Sequence, residues 1–390
     1  MNTNNVLKQI TYEIYEQRPV MPEKLRTNYR IERANGGLLC DLWFLTVGCI
    51  HDTQGGCVMC NYGKGSGAVH WNKILGELKR IVDRLSLEFE DFLLTPSGSM
   101  LDEREVSKSM REDLCGILEG IKTKRFIIES RADTISSEGL EFVKKAVPGA
   151  EKYIEIGVES SDDWILKHCI NKNITYEMFQ DAARKIHDAG MYVTANIGLG
   201  YPFMSEKAAV INTVHSIKDV LNDGADSVVL FPYHIKKGTL LHVLSVQKMY
   251  NCVSFWSLAE VLGYFSETEL GKIQISWYKD YFGEEKSYIC SSPGTCPNCE
   301  REVLKALDEY RETQNPEIIR SLREYPCSCH AEWRRQMDRE NERIDIERIE
   351  EEYRKLAEIY QIDRQLLEQE IGIMKDEFMR RYGNEELAGN

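Results

Sequence analysis

Between Leu42 and about Trp277, short apolar runs alternate with amphipathic stretches, and this alternation restricts the fold more than any other feature of the chain. The runs Leu42–Val47, Asp91–Thr95, Arg125–Ser130, Lys152–Gly157, Tyr192–Ile197, Ser227–Phe231 and Ile273–Ser276 read as strands. Helical patterns lie between them. Phe179, Ala182, Ala183 and Ile186 make an i, i+3, i+4, i+7 stripe, and a helix is predicted from Ser205 to Leu221, with Ser205 capping it and Glu206 in its first turn. Gly190 and Gly224 fall where these helices should stop. Strand and helix in repeated alternation imply a parallel sheet. So many repeats in one domain predict an α/β fold, a closed or partly open barrel of TIM type with the partial (β/α)6 form preferred, whose functional groups gather at the C-terminal ends of the strands.

The flanks break this pattern. Residues 1–40 are mixed and polar and read as a leader packing on the core, with 41–281 as the barrel. Residues 282–332 form a small Cys-rich extension, and 333–390 a charged, helix-prone tail. A helix is predicted from Glu300 to Tyr310, and amphipathic helices covering core are predicted in the tail. No apolar run reaches the ~18–20 residues that would cross a bilayer, and the N-terminus lacks the basic flank and apolar core of a signal peptide. Twelve cysteines without a secretion signal point to a reducing compartment and to metal binding, so the expected location is the cytoplasm. A net charge of −14 gives no help in binding a polyanion, although a local basic face would still admit RNA. Lys122, Lys124 and Arg125, and the pair Arg334 and Arg335, are too short as runs to argue for such a face.

Just after the first expected strand the chain reads Thr46-Val47-Gly48-Cys49-Ile50-His51-Asp52-Thr53-Gln54-Gly55-Gly56-Cys57-Val58-Met59-Cys60-Asn61-Tyr62-Gly63. Three thiolates can hold three irons of a [4Fe–4S] cluster and leave the fourth iron open to a small molecule. The alternative is zinc, for which His51 would be the nearest fourth ligand. The cluster is favoured by Gly55 and Gly56, which let the backbone wrap a bulky group, by the preceding strand, and by the glycine-rich stretch with Tyr62, Gly63, Gly65 and Gly67. A second group, Cys296, Cys299, Cys327 and Cys329, suits structural zinc or an auxiliary iron–sulfur cluster, with Cys290 or His330 as substitutes. Cys40, Cys115, Cys169 and Cys252 read as ordinary buried cysteines.

The cysteine run resembles that of radical S-adenosylmethionine (SAM) enzymes. Its Cys49-x7-Cys57-x2-Cys60 spacing departs from the common Cys-x3-Cys-x2-Cys and resembles the elongator-catalytic-subunit branch. It is more closely similar to the radical SAM subunit of archaeosine synthase, where a Gly-Cys…Gly-Cys-x-Met-Cys pattern occurs. Further segments resemble that family in the same order. Ser97-Gly98-Ser99-Met100-Leu101-Asp102 looks like its Ser-Gly-Ser-Phe-Leu-Asp. Glu129-Ser130-Arg131 looks like its Glu-Ser-Arg-Pro-Glu strand, with Ala132-Asp133 in place of Pro-Glu. Gly157-Val158-Glu159-Ser160 looks like its Gly-Leu-Glu-Thr, and Ile170-Asn171-Lys172 follows.

The resemblance implies that SAM chelates the open iron and is reductively cleaved to methionine and a 5′-deoxyadenosyl radical, which abstracts hydrogen from substrate. It places Ser97, Gly98 and Ser99 near the SAM amino group, and Glu159, Asn196, Gly198 and Gly200 near ribose, methionine or adenine. Glu129 and Arg131, two apart on one strand face, suit ribose hydroxyls and the methionine carboxylate, or else a buried salt bridge that shapes the barrel. Met59 and Tyr62 are candidates for packing on adenine, and Ser160, Tyr233 and His234 for substrate contacts. The implied enzyme, of lyase or oxidoreductase type, abstracts hydrogen from a small metabolite, a natural-product intermediate or a modified nucleobase, with C–N cleavage, rearrangement or elimination following. Its electron donor would be a flavodoxin or ferredoxin. A tRNA-modifying, archaeosine-synthase-like role is the alternative within the superfamily. A non-catalytic zinc-binding scaffold is the alternative outside it.

Overall fold

The computed structural model describes residues 5–19, 26–64, 71–281 and 288–387. Gly65 and Gly67 lie outside them. Eight strands form one curled sheet: β1 (Thr27–Ala34), β2 (Gly37–Phe44), β3 (Glu88–Pro96), β4 (Lys122–Ser130), β5 (Glu151–Glu159), β6 (Tyr192–Leu199), β7 (Ser227–Pro232) and β9 (Ile273–Ile275), side by side in that order. From β2 to β9 every pairing is parallel. A helix crosses between each pair of successive parallel strands, as the alternation predicts, and the result is a half-barrel.

The expected helices form. The stripe Phe179, Ala182, Ala183 and Ile186 is buried on the helix Tyr176–Asp188. Ser205 caps Glu206–Asn222 by accepting from the Ala208 amide. Gly190 and Gly224 end their helices at positive φ, 75° and 120°.

The start of the chain departs from expectation. Residues before Leu42 are not simply a leader: β1 is an antiparallel edge strand paired in register with β2, Arg30 opposite Asp41. The first parallel strand begins at Gly37 and ends at Phe44, so Leu45–Val47 already belong to the loop. An amphipathic helix, Val6–Gln17, buries Val6, Leu7, Ile10 and Ile14 beside the cysteine loop.

Two short strands, β8 (Ile235–Lys236) and β10 (Ile289–Ser291), pair antiparallel and tie the Cys-rich extension to the mouth of the half-barrel. In the tail, Ile346–Ile359 and Arg364–Leu387 pack on the turn that follows β5. There Trp164 donates to the Met374 carbonyl (3.1 Å), Arg381 and Tyr382 donate to Asp162 (2.7 and 2.6 Å), and the Tyr353 hydroxyl donates to the His168 carbonyl (2.6 Å). Among the described residues no helix is long and apolar enough to cross a membrane.

Candidate functional site

The cysteine loop starts where β2 ends. The Thr46 amide donates to Ser97 Oγ (2.8 Å) and its hydroxyl to the Ser97 carbonyl (3.1 Å), which fastens the loop to the end of β3. At Gly48, φ is +98°, and a Cβ would lie 2.6 Å from the carbonyl oxygens of Tyr62 and Gly63, so only glycine lets the loop close on itself. Buried Asp52 accepts from the Gly63 amide (2.6 Å) and pairs with Arg18. Asn171 donates to the carbonyls of Gly55 (3.0 Å) and Gly56 (2.8 Å). Glu105 accepts from the Ile50 amide (2.9 Å), the Ser99 amide (2.6 Å) and Arg131 (2.6 Å). The loop is thus held from β3, β4 and the turn after β5.

All three loop cysteines line one cavity of about 290 Å³ inside the half-barrel. Of the residues predicted with them, Met59, Tyr62, Gly98, Glu129, Arg131, Glu159, Asn196, Tyr233 and His234 line it too. Ser97, Ser99, Ser160, Gly198 and Gly200 do not. Ser97 is spent on Thr46, Ser99 Oγ on Ser130 and Thr134 (2.7 and 2.9 Å), and Ser160 on Ser216 (3.2 Å). Gly198 acts indirectly, because a Cβ there would meet the Tyr233 hydroxyl at 2.3 Å. At Gly200, φ is +96° and a Cβ would meet Val253 at 2.9 Å.

Charge is concentrated in the cavity wall. Glu129 on β4 stands in register with Glu155 on β5. Burial first, then the Glu155 charge, pushes the Glu129 carboxyl well above its ordinary value, and burial raises Glu155 to about 7. Glu155 accepts from Asn196 (3.3 Å), whereas the Glu129 carboxyl makes no hydrogen bond among the described residues. Glu159 pairs with Lys172 (2.8 Å) and accepts from the Tyr233 hydroxyl (3.3 Å). It sits at a register shift in β5 with φ of +70°, a strained conformation for a non-glycine residue. Arg131 is held by Asp102 (2.5 Å), Glu105 (2.6 Å) and Asp133 (3.2 Å), and its Nη1 lies 3.6 Å from Cys49 Sγ. Its guanidinium therefore serves the loop, close to the salt-bridge alternative. Both His234 nitrogens are engaged, by Trp277 O and by Ser292 Oγ (3.0 Å), and burial pulls its pKa down to about 4.

The donor sets of the two cysteine groups differ in scale. Among the described residues, only Cys296, Cys299, Cys327 and Cys329 bring their ligand atoms within 4.8 Å of one another. The loop thiols do not all come that close, and His51 spends Nε2 on the Asn171 carbonyl (3.0 Å). That geometry counts against zinc at the loop and fits a multi-iron cluster, in which each thiolate takes its own iron. Burial pushes Cys49, Cys57 and Cys60 each up to about 12, so a bound metal must draw off their protons.

In the second group, neighbouring sulfurs lie 3.6 Å (Cys296–Cys299, Cys296–Cys327) and 3.5 Å (Cys299–Cys329, Cys327–Cys329) apart. A tetrahedron of ~2.3 Å zinc–sulfur bonds has edges of about 3.8 Å. The substitutes fall away: Cys290 is exposed with its sulfur toward the Tyr288 carbonyl, and His330 bonds the Tyr325 carbonyl (2.9 Å) and stacks on Trp256. Cys115 and Cys252 are half-buried rather than buried, unlike Cys40 and Cys169.

Sequence reasoning missed several lining residues. Lys172 stood within a quoted motif but carried no assigned role. Arg30, Lys236 and Arg311 lie in segments without any motif and meet only in the fold.

Archaeosine synthase subunit beta of Methanosarcina acetivorans is 26% identical over 303 residues, 76% of this chain and 84% of that protein. The protein of the same name from Thermococcus kodakarensis is 28% identical over 304 residues, 74% of this chain and 88% of that one. The chain is similar to archaeosine synthase subunit beta. The resemblance to archaeosine synthase read from the motifs is borne out by these two relatives. No protein-family model matches the chain. Among solved structures, the archaeal Methanocaldococcus infernus Elp3 with an N-terminal deletion aligns at 18% identity and a TM-score of 0.43. The alignment covers 61% of this chain and 58% of that one, so the chain spans less than two thirds of that protein's length.

Proposed function

We propose that the chain is a radical SAM enzyme, of lyase or oxidoreductase type, that abstracts hydrogen from a modified nucleobase or a small metabolite, with C–N cleavage, rearrangement or elimination following. One observation carries this reading: three thiols of one short loop, not drawn together as the second cysteine group is, line the same cavity as the buried carboxylates of Glu129, Glu155 and Glu159. The names of the two relatives favour the nucleobase, and a tRNA-borne base agrees with them.

When bound, a reduced [4Fe–4S] cluster and SAM supply a 5′-deoxyadenosyl radical. The chain's own residues do the rest. Cys49, Cys57 and Cys60 would hold the cluster, with Arg131 donating toward Cys49 Sγ and the buried Asp52–Arg18 pair fixing the loop. Glu129 and Glu159 offer acceptors for ribose hydroxyls or a cationic substrate group. Met59 and Tyr62 offer apolar faces to adenine, and Tyr233 orients Glu159. Enclosure by the half-barrel keeps water from a reactive intermediate. Flavodoxin or ferredoxin is the electron donor that such a cluster would take.

At the second site the short sulfur–sulfur edges favour one zinc ion over an auxiliary cluster. The carboxylate-lined cavity is what a non-catalytic scaffold would not need.

The test is anaerobic reconstitution, reduction with dithionite, and detection of 5′-deoxyadenosine and methionine after SAM is added. Wild type should form both and Cys57→Ala neither. An intact cluster spectrum with no SAM binding would sink the reading. Metal analysis of the same samples should give about one zinc per chain, lost in Cys299→Ser. Iron in its place would refute the zinc assignment.

A further inference from the structure

Each of the three loop thiols has a cation near it. Arg131 Nη1 is 3.6 Å from Cys49 Sγ. Lys172 lines the cavity beside Cys57, and Lys236 beside Cys60; each offsets part of the burial that raises its neighbour's thiol. The three cations are not equivalent. Arg131 is neutralised by Asp102, Glu105 and Asp133, and Lys172 by Glu159. Lys236 has no carboxylate within ion-pair distance among the described residues. Its ammonium lies 5.4 Å from the centre of the Tyr62 ring, two residues beyond Cys60.

Lys236 is also held firmly. It sits on β8, in register with Ile289 of β10. Its carbonyl accepts from the Thr239 hydroxyl (2.7 Å), the next residue's amide donates to the Tyr288 carbonyl (2.7 Å), and the Leu241 amide donates to the Val58 carbonyl inside the cysteine loop (3.0 Å). The Cys-rich extension thus supplies the strand that braces this segment against the loop.

A cation fixed near an iron–sulfur cluster favours the more negative, reduced form, and net charge is one of the levers that set cluster potentials. A cation with its own counter-charge beside it contributes little in sum, and a lone one in a partly desolvated cavity contributes most. We propose that Lys236 is a positioning residue that raises the reduction potential of the cluster held by Cys49, Cys57 and Cys60, and that β10 of the Cys-rich extension holds it there. The inference rests on the reading that this loop carries a [4Fe–4S] cluster.

The experiment is a redox titration of the reconstituted full chain without SAM, followed by electron paramagnetic resonance of the reduced cluster. Lys236→Met should shift the midpoint to a more negative potential, and Lys236→Arg, which keeps the charge, should restore it. A Lys172→Met/Glu159→Gln double variant, which removes a cation together with its counter-charge, should stay close to wild type. If Lys236→Met binds iron poorly, Lys236→Gln serves in its place. A midpoint unchanged in both neutral variants overturns the proposal, as does a double variant that shifts as far as they do. Absence of any reducible cluster in wild type would instead refute the reading on which the proposal rests.

Discussion

Replacing Glu105 tests how the cysteine loop is held. Its side chain is fully buried and joins three separate segments: the Ile50 amide within the loop, the Ser99 amide after β3, and Arg131 after β4. Gly98 makes room for it, since a Cβ there would lie 2.0 Å from Glu105 Oε2. In Glu105→Ala, two amides lose their acceptor, each at about 1–3 kcal/mol when the donor stays buried. Arg131 loses one counter-charge but keeps Asp102 and Asp133. Water entering the vacated space recovers part of this, so the expected loss is about 3 kcal/mol. Glu105→Gln keeps one acceptor oxygen and should cost about half as much. Because the Ile50 amide follows Cys49 directly, the alanine variant should also retain less iron after reconstitution. Urea unfolding and iron per chain measure both effects. A loss below about 1 kcal/mol with full iron binding would refute this account, since it would mean that neither amide was left without a partner.

Two further predictions concern the cavity wall. Glu155 is raised in the folded chain to about 7 from an unfolded value of about 4.3, so the folded state binds the extra proton. Stability should therefore fall as pH rises from about 4.3 through 7, and Glu155→Gln should flatten that part of the profile of unfolding free energy against pH; an unchanged slope would count against Glu155 as the group responsible. Gly198→Ala should displace Tyr233, whose hydroxyl would stand 2.3 Å from the new methyl, at a cost of about 1–3 kcal/mol and with Tyr233 moved off Glu159; a crystal structure with Tyr233 in place would contradict this.

Much was legible in the sequence because it depends on local pattern. Burial on one face gives a strand or helix its period, so the six main parallel strands and the stripe Phe179–Ile186 could be read from apolar spacing. The cysteine loop could be read because its three thiols sit on one short, glycine-rich stretch just beyond a strand, and they do line one cavity. β1 escaped for the converse reason. Asn28 and Arg30 line the cavity while Tyr29 and Ile31 between them stay exposed, so its short alternation marks no buried apolar face, and its pairing with β2 is what identifies it.

The roles of charged residues were decided by tertiary structure, since Coulomb energy depends on distance and burial and not on spacing along the chain. The sequence placed Glu129 and Arg131 on one strand face, but their different fates came from neighbours: Glu155 across from Glu129, and Asp102 and Glu105 against Arg131. It showed four cysteines in two pairs, and folding alone brought Cys296 within 3.6 Å of Cys327 and left Cys290 out. Lys236 had no signal at all, because what distinguishes it is its place near Cys60 with no carboxylate at ion-pair distance among the described residues, and that arises only when β8, β10 and the cysteine loop come together.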